Sequence, residues 1–486
     1  MNEKFYITTP IYYASGEPHI GHALTTICAD VISRYQKSKG KEVFLLTGLD
    51  EHGSKIAGKA EVAGKTPQEF VDAIAPKYTE AWTALNIKYN DFIRTSSEKH
   101  KKGVIEFIKK IEDKGDIYES FYEGLYCVDC EKFYTEKELV GGLCPDHLKP
   151  PQKLKEKNYF FNLKKYLPEI REKIKNGKLK IIPDARKNEI LSIIDSGIPD
   201  FSITREKDRV KWGIPYTKDE TQLIYVWVDA LANYITALGY SDGENFKKFW
   251  PTDIHTIGAD IAKFHAIFWP GLLLSAGLPL PKIIFAQGLI TVNGQKMSKT
   301  IGNVISPNDL IPKFGPDGTR YLLLSQFPTP EHGDVKADNF SEKYNSDLAN
   351  GLGNLFERIF TMVLNYEIEI NETKISPEIK NSVRETKKQY ESDFENFNLF
   401  GALQTIFGFV KKLDQYINEK EPWNMHKNKD AELLMVLNSL FYGAEEIIKL
   451  IEPFMPEKTG LAADFAQKIK NREMPEETKL NLFPRI

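Results

Sequence analysis

Lys4-Phe5-Tyr6-Ile7-Thr8-Thr9-Pro10, followed after a polar loop by His19-Ile20-Gly21-His22, is the stretch that sets the fold. Residues 4–9 are short and rich in β-branched and aromatic types, which predicts a buried strand ended by Pro10. Over residues 23–34 apolar side chains recur at helical spacing, so a helix opens at the histidine motif. A strand, a glycine-bearing turn and a helix N-terminus make an anion site, because the first helical amides have no partner within the helix. His19 and His22 are three apart and share one face of the first turn. Gly21 between them lets a flat ring approach the backbone. The set suits a nucleotide, its base against glycine and its phosphates among imidazoles and amides.

Outward from there, Lys41-Glu42-Val43-Phe44-Leu45-Leu46-Thr47-Gly48 predicts a second strand. Strand, helix, strand at this spacing is a βαβ unit, which implies a doubly wound, parallel, Rossmann-like sheet. Such sheets bind ligands at the carboxyl ends of their strands, where Asp50, Glu51 and His52 fall. The core is expected to resume at Leu223-Ile224-Tyr225-Val226-Trp227-Val228-Asp229-Ala230.

The chain is 486 residues long with a net charge of −3, enough for several domains and without global attraction for nucleic acid. RNA contact would therefore rest on local basic patches. No apolar run reaches membrane-spanning length, and no signal segment precedes the first strand. Four cysteines make no disulfide framework, as expected of a reducing, cytoplasmic setting.

From about 115 to 225 the βαβ rhythm breaks, which predicts an inserted domain. It holds Cys127-x-x-Cys130 and, after thirteen intervening residues, Cys144-x-x-His147. Two such knuckles close a tetrahedral site that suits zinc, one ion per chain. Protein ligands fill all four positions, so the metal is expected to be structural. A redox Cys-x-x-Cys is the alternative, but it needs no second knuckle. Cys28 reads as a small buried hydrophobe.

Beyond residue 338 the pattern turns helical. Leu348, Leu352, Leu355, Phe356 and Ile359 share a face, as do Leu399, Leu403, Ile406, Val410, Leu413 and Ile417. A third run, Leu433 to Ile451, is stopped by Pro453. Together they predict a helix bundle. Four segments follow: 1–114 and 226–338 as the halves of a catalytic domain, 115–225 as the insertion, and 339–486 as the bundle.

His19-Ile20-Gly21-His22 pairs with Lys296-Met297-Ser298-Lys299-Thr300 far downstream. That pair is the signature of class I aminoacyl-tRNA synthetases, and from Phe5 to at least Pro453 the chain resembles the methionyl-tRNA synthetase family. The family more often ends the second motif in serine; Thr300 keeps the hydroxyl. Gly294 and Gly302 flank this loop and allow it to close.

The resemblance implies a strand over residues 225–230, site residues and an activity. ATP, with a magnesium ion, would meet His19, Gly21, His22, Gly258, Asp260, Lys296 and Lys299, the histidines and lysines being catalytic. Methionine would meet Ile11, Tyr13, Asp50, Trp227, Ala230, Tyr234, Ile261 and His265. Asp50 would pair with the ammonium group, and Tyr234 and the Ile11 amide would donate to the thioether, with aromatic contact on sulfur. Asn354, Arg358 and Trp423 match the positions that read the CAU anticodon, by base-edge hydrogen bonds and stacking. The implied partners are ATP, L-methionine and tRNA(Met), with no membrane. A monomer is expected, since no further RNA-binding domain follows the bundle.

Rivals are an isoleucyl, leucyl or valyl enzyme, a cysteinyl enzyme, and a catalytically silent RNA-binding relative. The first three would carry a much larger editing insertion. A cysteinyl enzyme uses zinc in its active site, unlike a closed four-ligand set. Intact histidine and lysine motifs count against a silent protein.

Overall fold

A computed structural model describes residues 3–128, 132–134, 136–145, 148–297, 302–473 and 479–486. The chain forms two compact units, one of Met1–Pro18, Gln36–Glu80 and Lys88–Gln287, the other of His19–Tyr35, Ala81–Ile87 and Gly288–Ile486.

The first unit is built on a six-stranded, wholly parallel sheet. Its strands are β1 (Lys4–Tyr13), β2 (Glu42–Asp50), β3 (Asp91–Arg94), β7 (Lys180–Ile182), β11 (Ile254–Gly258) and β12 (Ile283–Gln287), in the order β3-β2-β1-β11-β12-β7. Parallel sheets covered on both faces read as near-continuous apolar runs, and β2 is buried along all but its first residue. The strand expected to stop at Pro10 runs on to Tyr13. Its register with β2 shifts between Thr8 and Ile11, so Pro10, lacking an amide donor, sits in the irregularity. Pairing resumes as Ile11 opposite Gly48 and Tyr13 opposite Asp50, which sets three expected ligand contacts side by side.

The stretch read as an insertion contains a four-stranded antiparallel sheet of β4 (Ile117–Cys127), β5 (Lys132–Tyr134), β6 (Gln152–Phe161) and β8 (Phe201–Ser202). Residues 180–182 within it nonetheless supply β7 to the main sheet. A second difference lies at 223–230. Only β10 (Gln222–Ile224) is strand there, paired with β9 (Thr204–Glu206), and Val226–Leu231 is helix. β-branched and aromatic content suggests extension, but tertiary packing overrides so short a preference. Downstream, β12 and β13 (Ile290–Val292) are separated by Gly288 and Leu289.

In the second unit the helix Ile20–Ser38 (α1) begins at the histidine motif. β13, β14 (Gln295–Lys296) and β15 (Gly333–Val335) make a small sheet, and the bundle follows, with all the apolar faces named above buried. A buried ionic node ties this unit together. Fully buried Arg320 pairs with Asp30 of α1 at 2.7 Å and donates to the carbonyls of Phe454, Pro453 and Leu85. Asp30 also takes Arg34 at 2.8 Å. A charge so enclosed is tolerable only because nearly every donor is matched.

Candidate active site

The histidine motif is a stacked pair: the rings of His19 and His22 lie 3.6 Å apart at 24°. Their hydrogen bonds define the tautomers. The Gly21 amide donates to His19 Nδ1 at 3.1 Å and the His19 amide to His22 Nδ1 at 3.4 Å. Both Nδ1 atoms are therefore acceptors, and each neutral ring carries its proton on Nε2. Burial and the neighbouring His19 push the His22 pKa well below the ordinary histidine value, so that ring is neutral at pH 7. The helix amides play a smaller part than expected. Ile20 N–H is held by the Ile305 carbonyl at 2.9 Å and Gly21 N–H by His19, so two of the first amides are already satisfied within the protein.

Gly21 is closely approached by side chains of both motifs. A Cβ there would lie 2.9 Å from His19 Cε1 and 3.3 Å from Met297 Cε. Met297 belongs to the lysine motif, so the two motifs, 276 positions apart by sequence number (297 minus 21), meet at this glycine. Lys299 and the side chain of Lys296 lie outside the described residues.

In the first unit the expected amino-acid contacts gather on one core. Ile11, Tyr13, Trp227 and Ile261 pack against the cluster that holds Tyr234 and Phe264. Trp227 stacks on Phe264 at 3.8 Å and 6°, and its buried indole Nε1 has no hydrogen-bond partner among the described residues. Ala230, Asp50 and His265 are buried. The hydroxyl of Tyr234 meets His265 Nε2 at 2.7 Å, while His265 Nδ1 bonds to the Ile261 carbonyl at 3.0 Å. Gly258 is also constrained, because a Cβ there would stand 2.6 Å from Asp260 Oδ1.

A network missed at the sequence level lies beneath this core. Asp229, fully buried, bridges His52 Nδ1 at 2.6 Å and His100 Nε2 at 2.7 Å, and His100 Nδ1 meets Thr236 at 2.7 Å. Burial opposes the Asp229 charge, yet the two histidines outweigh it and bring its pKa down to about 2. His52 had a signal, since it follows Asp50 at a strand end. His100 had none, being a lone histidine in a helix.

In the bundle, Asn354 and Arg358 lie one helical turn apart on the helix Asn354–Asn365. Arg358 ion-pairs with Asp414 and donates to Asn418 Oδ1 at 3.0 Å. Asn354 lines a cavity of about 360 Å³ with Asn350, Glu357, Asn481 and Arg485. Trp423 is 41% exposed, so it is not a core residue.

For the metal, Cys127 and Cys144 are 3% and 0% exposed and share a small buried cluster with Tyr134 and Leu139. Leu148 N–H donates to the Cys144 carbonyl at 2.8 Å. Cys130 and His147 lie outside the described residues. Soft thiol donors shut away from water fit zinc better than a hard cation.

The family model for class I tRNA synthetases (M) matches residues 5–150 and 147–360, and one for the anticodon-binding domain of tRNA ligases matches 377–477. Methionine–tRNA ligase of Thermotoga maritima is 41% identical over 98% of this chain and 77% of its own length. That of Fusobacterium nucleatum is 44% identical over 97% and 74%. The solved Mycobacterium tuberculosis methionyl-tRNA synthetase, in complex with methionyl-adenylate, superposes with a TM-score of 0.90 at 32% identity, over 99% of this chain and all of that one. The chain belongs to the methionine–tRNA ligases.

As a methionine–tRNA ligase it is an ATP-dependent enzyme with methionine and tRNA as substrates, and its doubly wound catalytic fold and helical anticodon-binding domain are those expected from the motifs. Among the described residues no helix is long and apolar enough to cross a membrane.

Proposed function

We propose that this ligase charges tRNA(Met), the initiator included, through the residues assigned from its motifs. Methionine carboxylate attacks the α-phosphorus of ATP, pyrophosphate leaves, and methionyl-adenylate results. A ribose hydroxyl of the terminal adenosine of tRNA then attacks the mixed anhydride and AMP departs. A carboxylate is ionised at pH 7, so the first step needs no general base; it needs positioning and stabilisation of phosphoryl charge. Magnesium, when bound with ATP, neutralises part of that charge.

The Nε2–H groups of His19 and His22 donate to the phosphates, and Lys296 and Lys299 supply positive charge as the reaction proceeds. Gly21 admits the adenine ring, and Gly258 and Asp260 complete the ATP set. Asp50 holds the methionine ammonium. Ile11, Tyr13, Trp227, Ala230, Tyr234, Ile261 and His265 enclose its side chain. The Tyr234 hydroxyl donates its hydrogen bond to His265 Nε2, so donation to the thioether falls first to the Ile11 amide. Asn354, Arg358 and Trp423 read the anticodon. Cys127, Cys130, Cys144 and His147 hold one structural zinc, whose binding orders the knuckles. Residues 115–225 act as the connective insertion between the catalytic halves, 1–114 and 226–338, and 339–486 as the anticodon domain. We take the enzyme as a cytoplasmic monomer, a setting that keeps the thiols reduced.

The observation that carries the assignment is the meeting of the two signature motifs where Gly21 faces Met297. Its test is amino-acid-dependent ATP–pyrophosphate exchange across all twenty amino acids. Methionine should drive exchange far above leucine, isoleucine and valine, and equal rates with leucine would refute the pocket assignment.

A further inference from the structure

The short helix Pro422–Lys427 carries two rings, Trp423 and His426, three residues apart and hence on one side of the turn. His426 lies flat on Tyr366, with centroids 3.9 Å apart and 8° between planes. Tyr366 is the C-cap of the helix that bears Asn354 and Arg358, so this stack ties that helix to the one bearing Trp423. His426 is exposed and Tyr366 half-buried, so one imidazole face rests on the phenol and the other is presented to solvent. Trp423 makes no ring contact among the described residues, and its indole is open in the same way. Lys427 and Lys429 beside them are exposed and form no ion pair among the described residues. A flat π surface on a cationic rim is the chemistry that receives an unpaired nucleotide, the ring taking the base and the ammonium groups the phosphates.

We propose that His426, backed by Tyr366, is a second base-stacking platform that seats an unpaired anticodon-loop nucleotide next to the one on Trp423. This rests on the anticodon reading of Trp423. The backing matters because an exposed imidazole alone would rotate freely, whereas the phenol holds it flat and lowers the entropy lost when a base stacks.

The test uses the full chain and tRNA(Met) transcripts carrying 2-aminopurine at single anticodon-loop positions, whose fluorescence is quenched on stacking. His426→Ala should weaken tRNA binding by roughly 5-fold or more, the low end for one lost base–aromatic stack. It should also restore fluorescence at one loop position, different from the position that Trp423→Ala restores. His426→Phe, which keeps a flat ring, should bind like wild type, whereas His426→Leu, which fills the space without a π face, should behave like alanine. Exchange without tRNA should not change in any of them. Equal binding by the Leu and Phe variants, or unchanged binding by the Ala variant, overturns the platform. If Trp423→Ala also binds tRNA normally, the anticodon reading itself is wrong; if only Trp423→Ala weakens it, that reading stands and the platform falls.

Discussion

The Tyr234 hydroxyl donates to Nε2 of His265 at 2.7 Å, a direction dictated by the other ring nitrogen. His265 Nδ1–H is committed to the Ile261 carbonyl at 3.0 Å, so Nε2 can only accept in the neutral ring. Burial lowers the His265 pKa to about 4, against the small opposing effect of that carbonyl, which keeps the ring neutral at pH 7. A hydroxyl and an imidazole are thus locked together at the wall of the proposed methionine pocket.

Removing the acceptor should disturb the pocket without touching the phosphates. His265→Ala leaves a buried hydroxyl unsatisfied, which costs about 1–3 kcal/mol. We expect kcat/KM for methionine in exchange to fall by roughly one to two orders of magnitude, with the KM for ATP little changed. Unaltered methionine kinetics would show that the pair only packs the core.

The lysine motif should act on the transition state. Lys296→Ala and Lys299→Ala each remove charge needed as phosphoryl charge builds, so kcat should fall much more than KM rises. Steady-state exchange kinetics decide it: a change confined to the KM for ATP would limit these lysines to ground-state binding.

The buried thiols give a metal prediction that does not depend on activity. Purified protein should contain one zinc per chain, and Cys144→Ser should lose it and open the knuckles to proteolysis while the main sheet keeps its protection from hydrogen exchange. Full zinc content in that variant would remove Cys144 from the ligand set.

Anticodon reading and adenylate formation should separate. Arg358→Ala and Trp423→Ala should weaken tRNA charging, the latter by roughly 1–3 kcal/mol of lost stacking, and leave tRNA-independent exchange near wild type. Trp423 is 41% exposed, so its truncation should scarcely lower the melting temperature. Normal charging by both variants would overturn the assignment.

Asp317 makes the enzyme's stability depend on pH. Burial raises its pKa to about 6, against the opposing effects of the Lys458 amide, which it accepts at 2.6 Å, and of Arg320. An acid whose pKa is higher folded than unfolded binds more protons in the native state, so stability falls as pH rises from about 4 to 6 and stays lower above that. Asp317→Asn should flatten this slope and add on the order of 1–3 kcal/mol at pH 7, read from melting temperature against pH. Parallel profiles for wild type and variant would show the carboxyl is not the source.

By itself the sequence determined the parallel sheet and the bundle, because each rests on local pattern, apolar strand runs and helical periodicity; the pairing of the two distant motifs was legible only through resemblance to a known family. The buried faces of the bundle are the residues its periodicity named. Tertiary structure decided what depends on neighbours distant in the chain. Val226–Leu231 is helix although its residues favour strand, because six residues carry too little intrinsic preference to resist the packing around them. β1 runs past Pro10 because β2 offers pairing on the far side of the irregularity. The proton positions on His19, His22 and His265, and the Asp229 bridge between His52 and His100, were illegible in the sequence. Each is set by a hydrogen-bond partner that only folding brings near, and a side chain's titration follows its surroundings rather than its place in the chain.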